Sequence, residues 1–358
     1  MHVLLQIVGA VLVLAALADI YTTVLHPRAE SSWLSIFVAR SVWRLFRSAG
    51  LGLPQRRDSF LSYGGPTIIV VVISVWVLLL LGFSLMIWPG LGTAIQAEQG
   101  ETPTDFATAI YYSGFFLATL GTGDLAPKTA AYRLLMVLKA ILGFSVFTLT
   151  LSYVLSVYNT LTSRNTFALG LHHRTADTAD STELLARLAA DNNVDTLHQD
   201  ISEIAQNLMG LLESNNSYPV LLYFRYPQAY YALPRIAYLS LDIATLIKSA
   251  LDSEQYRSVA NSSGAAELWF GGLHLLEELC QALLPKVWVQ AQEVNEPMWR
   301  DHYYQALERL KAEGIKTVEN PVEGADAYVS MRHQWATNLA RLTKYLAYEP
   351  DRISPAEY

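Results

Sequence analysis

The sequence predicts an all-α membrane protein: three membrane-crossing helices with a shorter re-entrant segment among them, followed by an all-helical soluble domain. Three observations carry that expectation. Of 358 residues, 52% are hydrophobic and only 16% are charged, a balance that points to a membrane chain. Apolar runs at 1–26, 67–89 and 140–161 each come close to the about 20 residues a helix needs to span a bilayer. The second half has no run of alternating strand-like residues and reads as helical throughout.

The first run is interrupted only by Asp19. Ala16-Leu17-Ala18 resembles the small-residue cleavage site of a secretory signal, but no lysine or arginine precedes it. The loop that follows carries Arg28, Arg40, Arg44, Arg47, Arg56 and Arg57 against Glu30 and Asp58. Arginine-rich loops stay on the cytoplasmic side, so a retained helix with its N-terminus outside is expected. An acid in hydrocarbon is costly and faces a partner or a wet cavity. Asp19 is expected either to sit at the inner interface beside an arginine or to clamp the first helix to the cytoplasmic loop. Residues 33–47 read as an amphipathic helix on the inner membrane face, with Arg40, Arg44 and Arg47 on one stripe. That stretch is too short for a membrane-spanning voltage sensor. Gly50, Gly52 and Pro54 end it, and Gly64-Gly65-Pro66 open the second run.

Between the second and third runs lies FATAIYYSGFFLATLGTGD, residues 106–124. Its apolar first part, 107–118, is too short to cross a bilayer, and Thr104 with Asp105 can cap it. It runs into Thr119-Leu120-Gly121-Thr122-Gly123-Asp124. Two glycines flanking one residue permit dihedrals that let successive carbonyls face one way. Non-helical backbone at membrane depth is tolerated only where it is buried in protein or lines a watery path.

This stretch and the helices on either side resemble the pore region of tetrameric potassium channels, whose filter usually reads TVGYGD; the likeness covers about residues 67–159. In its register Ser113 falls on a pore-helix serine, Arg133 on an arginine that opens the inner helix and Gly143 on a hinge glycine. The resemblance implies a homotetramer, each copy supplying a quarter of a filter. Carbonyls of Thr119, Leu120, Gly121 and Thr122, with Gly123 beyond them, would replace the water of a monovalent cation, potassium in the family. The Thr119 hydroxyl would lie at the inner end, Asp124 would anchor the mouth, and Gly143 would be the gating hinge. The departures are specific. Thr122 replaces the filter aromatic, Phe115 stands where many members carry a glutamate, and Tyr111 and Tyr112 stand where paired tryptophans form a cuff. The family's aromatic brace is therefore missing at its centre, so a weakly selective sodium/potassium channel stays open beside a potassium channel.

The same charge rule makes residues 90–130 external and returns the third helix to the cytoplasm near Tyr158. Lys139, one to two turns into that helix, is expected to snorkel to the outer interface or to repel cations from the outer vestibule. The expected domains are therefore 1–63, a pore domain 64–162, and a helical cytoplasmic domain 163–358.

From Arg164 onward there are 25 acids against 16 bases, which leaves no basic footprint for nucleic acid. The lone Cys280 excludes an intrachain disulfide and a thiolate metal cluster, and fits a reducing compartment. No glycine fingerprint follows a strand, and no nucleophile–base or HExxH signature appears, so neither a dinucleotide domain nor catalysis is expected. Asp191, Asn193 and Asp195 mimic a calcium loop, but Thr196 and Ser202 occupy its glycine and glutamate positions. His172-His173 reads as a solvated linker pair. Val194, Leu197, Ile201, Ile204, Leu208 and Leu211 follow a three-four spacing expected to pack inside the domain. Tyrosines 218–238 are expected to serve packing more than a ligand pocket. Further helices are expected near Pro234, Ala265, Pro297 and Asp326. No cofactor is expected beyond the permeant ion. The partners are further copies of the chain, the bilayer and an unidentified regulatory ligand on the cytoplasmic domain. A membrane-anchored helical scaffold with a vestigial pore motif is the alternative from another class.

Overall fold

The computed structural model describes residues 2–25, 33–121, 123–191, 193–285 and 295–354; Arg28, Glu30 and Thr122 lie outside them. In chain order the helices begin with α1 (His2–Ile20), which Tyr21–Leu25 prolong, then α2 (Trp33–Leu51), α3 (Arg57–Ser62), α4 (Gly64–Val75) and α5 (Val77–Ile87). Strand β1 (Ile95–Ala97) precedes α6 (Phe106–Leu117), and β2 (Leu125–Pro127) precedes α7 (Ala130–Arg174). There follow α8 (Ser181–Leu188), α9 (Val194–Ser217), α10 (Leu233–Ser249), α11 (Arg257–Ala260), α12 (Ser263–Leu283), α13 (Glu296–Ala312), α14 (Pro321–Arg332) and α15 (Ala336–Tyr345). Among the described residues three helical stretches are long and apolar enough to cross a membrane: His2–Leu25, Arg57–Gly90 and Ala130–Arg174. The chain forms two compact units, Met1–Arg44 with Pro66–Asn159, and Leu45–Gly65 with Thr160–Tyr358.

In the first unit α1 packs along α5. Gly9 and Gly82 face each other at the crossing: a Cβ on Gly9 would lie 2.6 Å from the Gly82 carbonyl oxygen, and one on Gly82 2.8 Å from that of Gly9. Small residues let membrane helices approach closely where lipid offers no hydrophobic drive. Val13, Ala16, Leu79 and Phe83 close the seam around them. The helical span pauses at Trp76, whose indole N–H points to an Asp19 carboxylate oxygen at 3.4 Å. The same carboxylate accepts from the backbone N–H (3.2 Å) and hydroxyl (2.9 Å) of Ser35 at the start of α2. Asp19 is only 6% exposed, and it ties α1 to α2 and to the α4–α5 break.

α6 rests on α5, and Ile87, Ile95, Ala109, Tyr112 and Met136 form one buried cluster beneath it. The short ladder of β1 and β2 is antiparallel, with Gln96 opposite Ala126. Three-residue strands give too little pattern to be read from sequence. α7 is another correction. It runs 45 residues without a break, past the expected end near Tyr158, because neither glycine nor proline occurs between Gly143 and Gly170.

The second unit is built around α10, which is buried on every side except at Lys248; a helix apolar all round belongs at the centre of its domain. On α9, Leu197, Ile201, Ile204, Leu208 and Leu211 are buried, and α12 is the main helix packed on α9. The three-four repeat is thus internal packing. Asp180, Asn193, Ser262, Asn295 and Asn320 cap the helices that follow them with their side chains, as residues of these types do. Asn193 of the calcium look-alike is therefore a helix cap. Likewise α14 starts at Pro321, five residues before the expected Asp326, since Asn320 caps it and proline suits its first turn. His172 and His173 lie in the last turn of α7 rather than in a linker: His172 stacks on Tyr230 at 4.5 Å, while the exposed His173 meets Asp177 at 2.6 Å.

Candidate functional site

α6 begins where the Asp105 side chain accepts from the Thr108 backbone N–H (2.9 Å) and hydroxyl (2.8 Å). It ends by folding the next residues back on itself. The Thr119 N–H donates to the Phe116 carbonyl (3.1 Å), and the N–H groups of Leu120 (2.9 Å) and Gly121 (3.4 Å) both donate to the Phe115 carbonyl. Thr119 has φ +61° and Gly121 φ +71°, while Leu120 between them keeps a negative φ. Alternating the hand of successive residues turns their N–H groups to one side of the chain and leaves their carbonyls to the other. A β-branched residue at positive φ is a true outlier, costing about 1–3 kcal/mol, and such outliers gather at functional sites. Ala118 to Gly121, Gly123 and Asp124 are exposed in the single chain.

Beyond the glycines the chain is held by the hairpin. The Glu98 N–H donates to the Asp124 carbonyl at 2.9 Å, and the Lys128 N–H to the Ala94 carbonyl at 2.8 Å. The Tyr111 hydroxyl donates to the Asp124 carboxylate at 3.5 Å, the outer limit of a hydrogen bond. Tyr111 leans on Phe115 (ring centroids 4.6 Å apart), and the buried Tyr112 meets Phe116 edge-on at 4.9 Å. Each of these four aromatics is thus braced by another one turn away on the same helix.

Behind α6 the structure brings together residues the sequence reading kept apart. Lys139 is fully buried, which overturns its expected place at the outer interface. Its Nζ donates to Ser113 Oγ at 3.0 Å and sits 5.5–5.9 Å from the ring centres of Phe83, Tyr112 and Phe116. One turn further, a Cβ on Gly143 would lie 1.9 Å from the Leu117 carbonyl oxygen. Packing therefore demands glycine at 143, whatever flexing it allows. Lys139 and Gly143 on α7, and Ser113 and Leu117 on α6, are both spaced by four: two matched contacts in register.

A model of the ion-channel family matches residues 67–159. This segment is therefore similar to an ion-channel domain. The channel domain accounts for that segment and not for the rest of the chain. An uncharacterized membrane protein of Bacillus subtilis (strain 168), YdjJ, is 23% identical over 254 residues, 70% of this chain and 71% of its own length. No solved structure matches. With its apolar spans, the chain is a membrane protein.

In the second unit an open cleft of about 490 Å³ runs between the end of α7 and α9, lined by Thr162, Thr166, Phe167, Arg174, Glu203 and Asn207 among others. Arg174 bridges to Glu203 across it at 2.7 Å. Burial pushes the Cys280 thiol up to about 11, so at neutral pH it is not a reactive thiolate.

Proposed function

We propose that four copies of this chain assemble around an axis into a cation channel, with the carbonyls of Thr119, Leu120, Gly121 and Thr122 as the filter. The observation that carries this reading is the alternating backbone at Thr119 and Gly121, with its N–H groups tied back to Phe115 and Phe116. Carbonyls turned away from these N–H groups are the ligands that a dehydrated cation needs. Potassium is the proposed permeant ion, on the likeness of TLGTGD to the family filter. The pore helix end adds a partial negative charge toward the path. The N-terminus is placed outside and the helical unit in the cytoplasm, by the arginine bias of the first loop. Gating is coupled to that unit through α7, which enters it without a helix break.

One observation favours relaxed discrimination between potassium and sodium: Tyr111 and Tyr112 are braced by Phe115 and Phe116 of their own helix, and Thr122 offers no aromatic for them to hold. Reconstitution in liposomes tests both readings. Native chain should pass potassium, and Gly121→Ala, which puts a side chain at φ +71°, should lower the flux at least tenfold. No flux from the native chain would favour the scaffold reading. Bi-ionic reversal potentials in potassium and sodium then separate strict from weak selectivity.

A further inference from the structure

We propose that Lys139 is a positioning residue of the filter: its ammonium, bonded to Ser113 and caged by three aromatic rings, pins the inner helix to the pore helix in the register that holds the filter carbonyls. This rests on the channel reading above. Lys139 is fully buried, and among the described residues no carboxylate lies within ion-pair distance of it. The elements packed around it present Phe83 from α5 and Tyr112, Ser113 and Phe116 from α6. A charge buried without a counter-ion is kept at a cost, and ionisable groups inside membrane spans mark function. Volume alone would be filled more stably by methionine. The cage is what suits an ammonium: ring faces attract it where no acid does, and Ser113 Oγ fixes its direction. Gly143 against Leu117 repeats the contact one turn on, so the two helices meet in one register at two levels. The last turn of α6, thus held, supplies the carbonyls that accept from the Thr119, Leu120 and Gly121 N–H groups. Release of Lys139 lets that turn shift, and the filter dihedrals shift with it.

The test compares native chain, Lys139→Met and Ser113→Ala, each purified as an assembled oligomer and reconstituted, by relative permeability to potassium, rubidium, sodium and caesium. Both variants are expected to change at least one permeability ratio threefold or more, in the same direction. The double variant should shift it no further than the larger single change. A role in packing alone would alter melting and leave the ratios unmoved. Native ratios in assembled Lys139→Met overturn the proposal, as do shifts that add in the double variant. Where Lys139→Met does not assemble, Ser113→Ala decides: it keeps the lysine and removes only the acceptor, and unmoved ratios overturn the proposal. A native chain that conducts nothing removes the channel reading itself, and this inference falls with it.

Discussion

Among the described residues two cations are withdrawn completely from solvent, Lys139 in the first unit and Arg332 in the second, and their surroundings differ in one respect. Aromatic rings enclose both: Phe83, Tyr112 and Phe116 around Lys139, and Tyr238, Trp299, Tyr328 and Trp335 around Arg332. Arg332 also has an acid. Its Nη1 donates to Asp242 Oδ1 at 3.1 Å, and the same carboxylate accepts from Tyr328 (2.7 Å) and Ser181. Charge meets charge there, with hydrogen bonds filling the remaining lone pairs. Among the described residues Lys139 has only the Ser113 hydroxyl. A buried ion that meets its counter-charge defines how helices pack, whereas one without a counter-ion is held at a cost that packing does not repay. The first arrangement is what a domain core needs, and the second is what a site needs.

The largest effect should come from breaking the paired case. Asp242→Asn leaves Arg332 buried without its counter-charge, which costs about 3–5 kcal/mol. Thermal melting of the full chain in detergent, with hydrogen exchange followed on α10 and α14, should show that loss in the second unit. A change below about 1 kcal/mol, the worth of an exposed pair, would erase the contrast with Lys139. The pair also sets a pH dependence. Burial alone would raise the Asp242 carboxyl, but Arg332, His302 and Ser181 together outweigh it and hold the group well below its ordinary 3.8. A carboxyl lowered by folding contributes fully above its ordinary value, and that contribution is lost as acid is added below it. Melting of the native unit should therefore owe this pair nothing variable between about pH 5 and 8, and fall below about pH 4. Asp242→Asn should lack that component of the fall.

A second test sharpens the pore side. Gly143→Ala places a methyl 1.9 Å from the Leu117 carbonyl, and backbone cannot give way as a flexible side chain does. Overpacking of this kind costs about 1–3 kcal/mol, here in the contact that seats the pore helix. Flux in liposomes should fall at least tenfold while the melting of the second unit stays native. A hinge that owes nothing to packing predicts instead full conductance with altered open times. Single-channel records distinguish the two.

How much of this was legible in the sequence depends on the range of the contact. The apolar runs and the Asp105 cap are local patterns, and the chain carries them where they were read. The end of α7 was also legible: no helix breaker stands between Gly143 and Gly170, yet a domain boundary was expected at 163. Asn320 before Pro321 and Glu323 is a helix-start signature that the expectation at Asp326 passed over. Lys139 was not legible in the same way. A lysine near the end of a membrane helix fits snorkelling by position alone, and its partner Ser113 lies 26 residues away. Only the shared spacing of four, 113 to 117 and 139 to 143, hints that the two helices are in register. Asp19 and Ser35, like Gly9 and Gly82, meet through tertiary packing that no local pattern announces.

A third buried cation grades the comparison between the first two. Arg225 has a side chain only 2% exposed, lies over the Tyr348 ring at 4.2 Å and bonds Asp58 at 2.6 Å, but Asp58 itself is 32% exposed. The guanidinium also donates to the carbonyls of Leu346 (2.8 Å) and Ala347 (2.9 Å), so it keeps partners when the acid is neutralised. Water reaches Asp58 and screens the pair, and such pairs contribute about 0.2–1 kcal/mol. Asp58→Asn should therefore lower the stability of the second unit by no more than about 1 kcal/mol, well short of the loss from Asp242→Asn. Paired melts of the two variants in one buffer measure the ratio. Equal losses would mean that the exposure of the acid does not set the worth of a buried cation's partner. The contrast between Arg332 and Lys139 would then have to rest on the aromatic cages, which both possess.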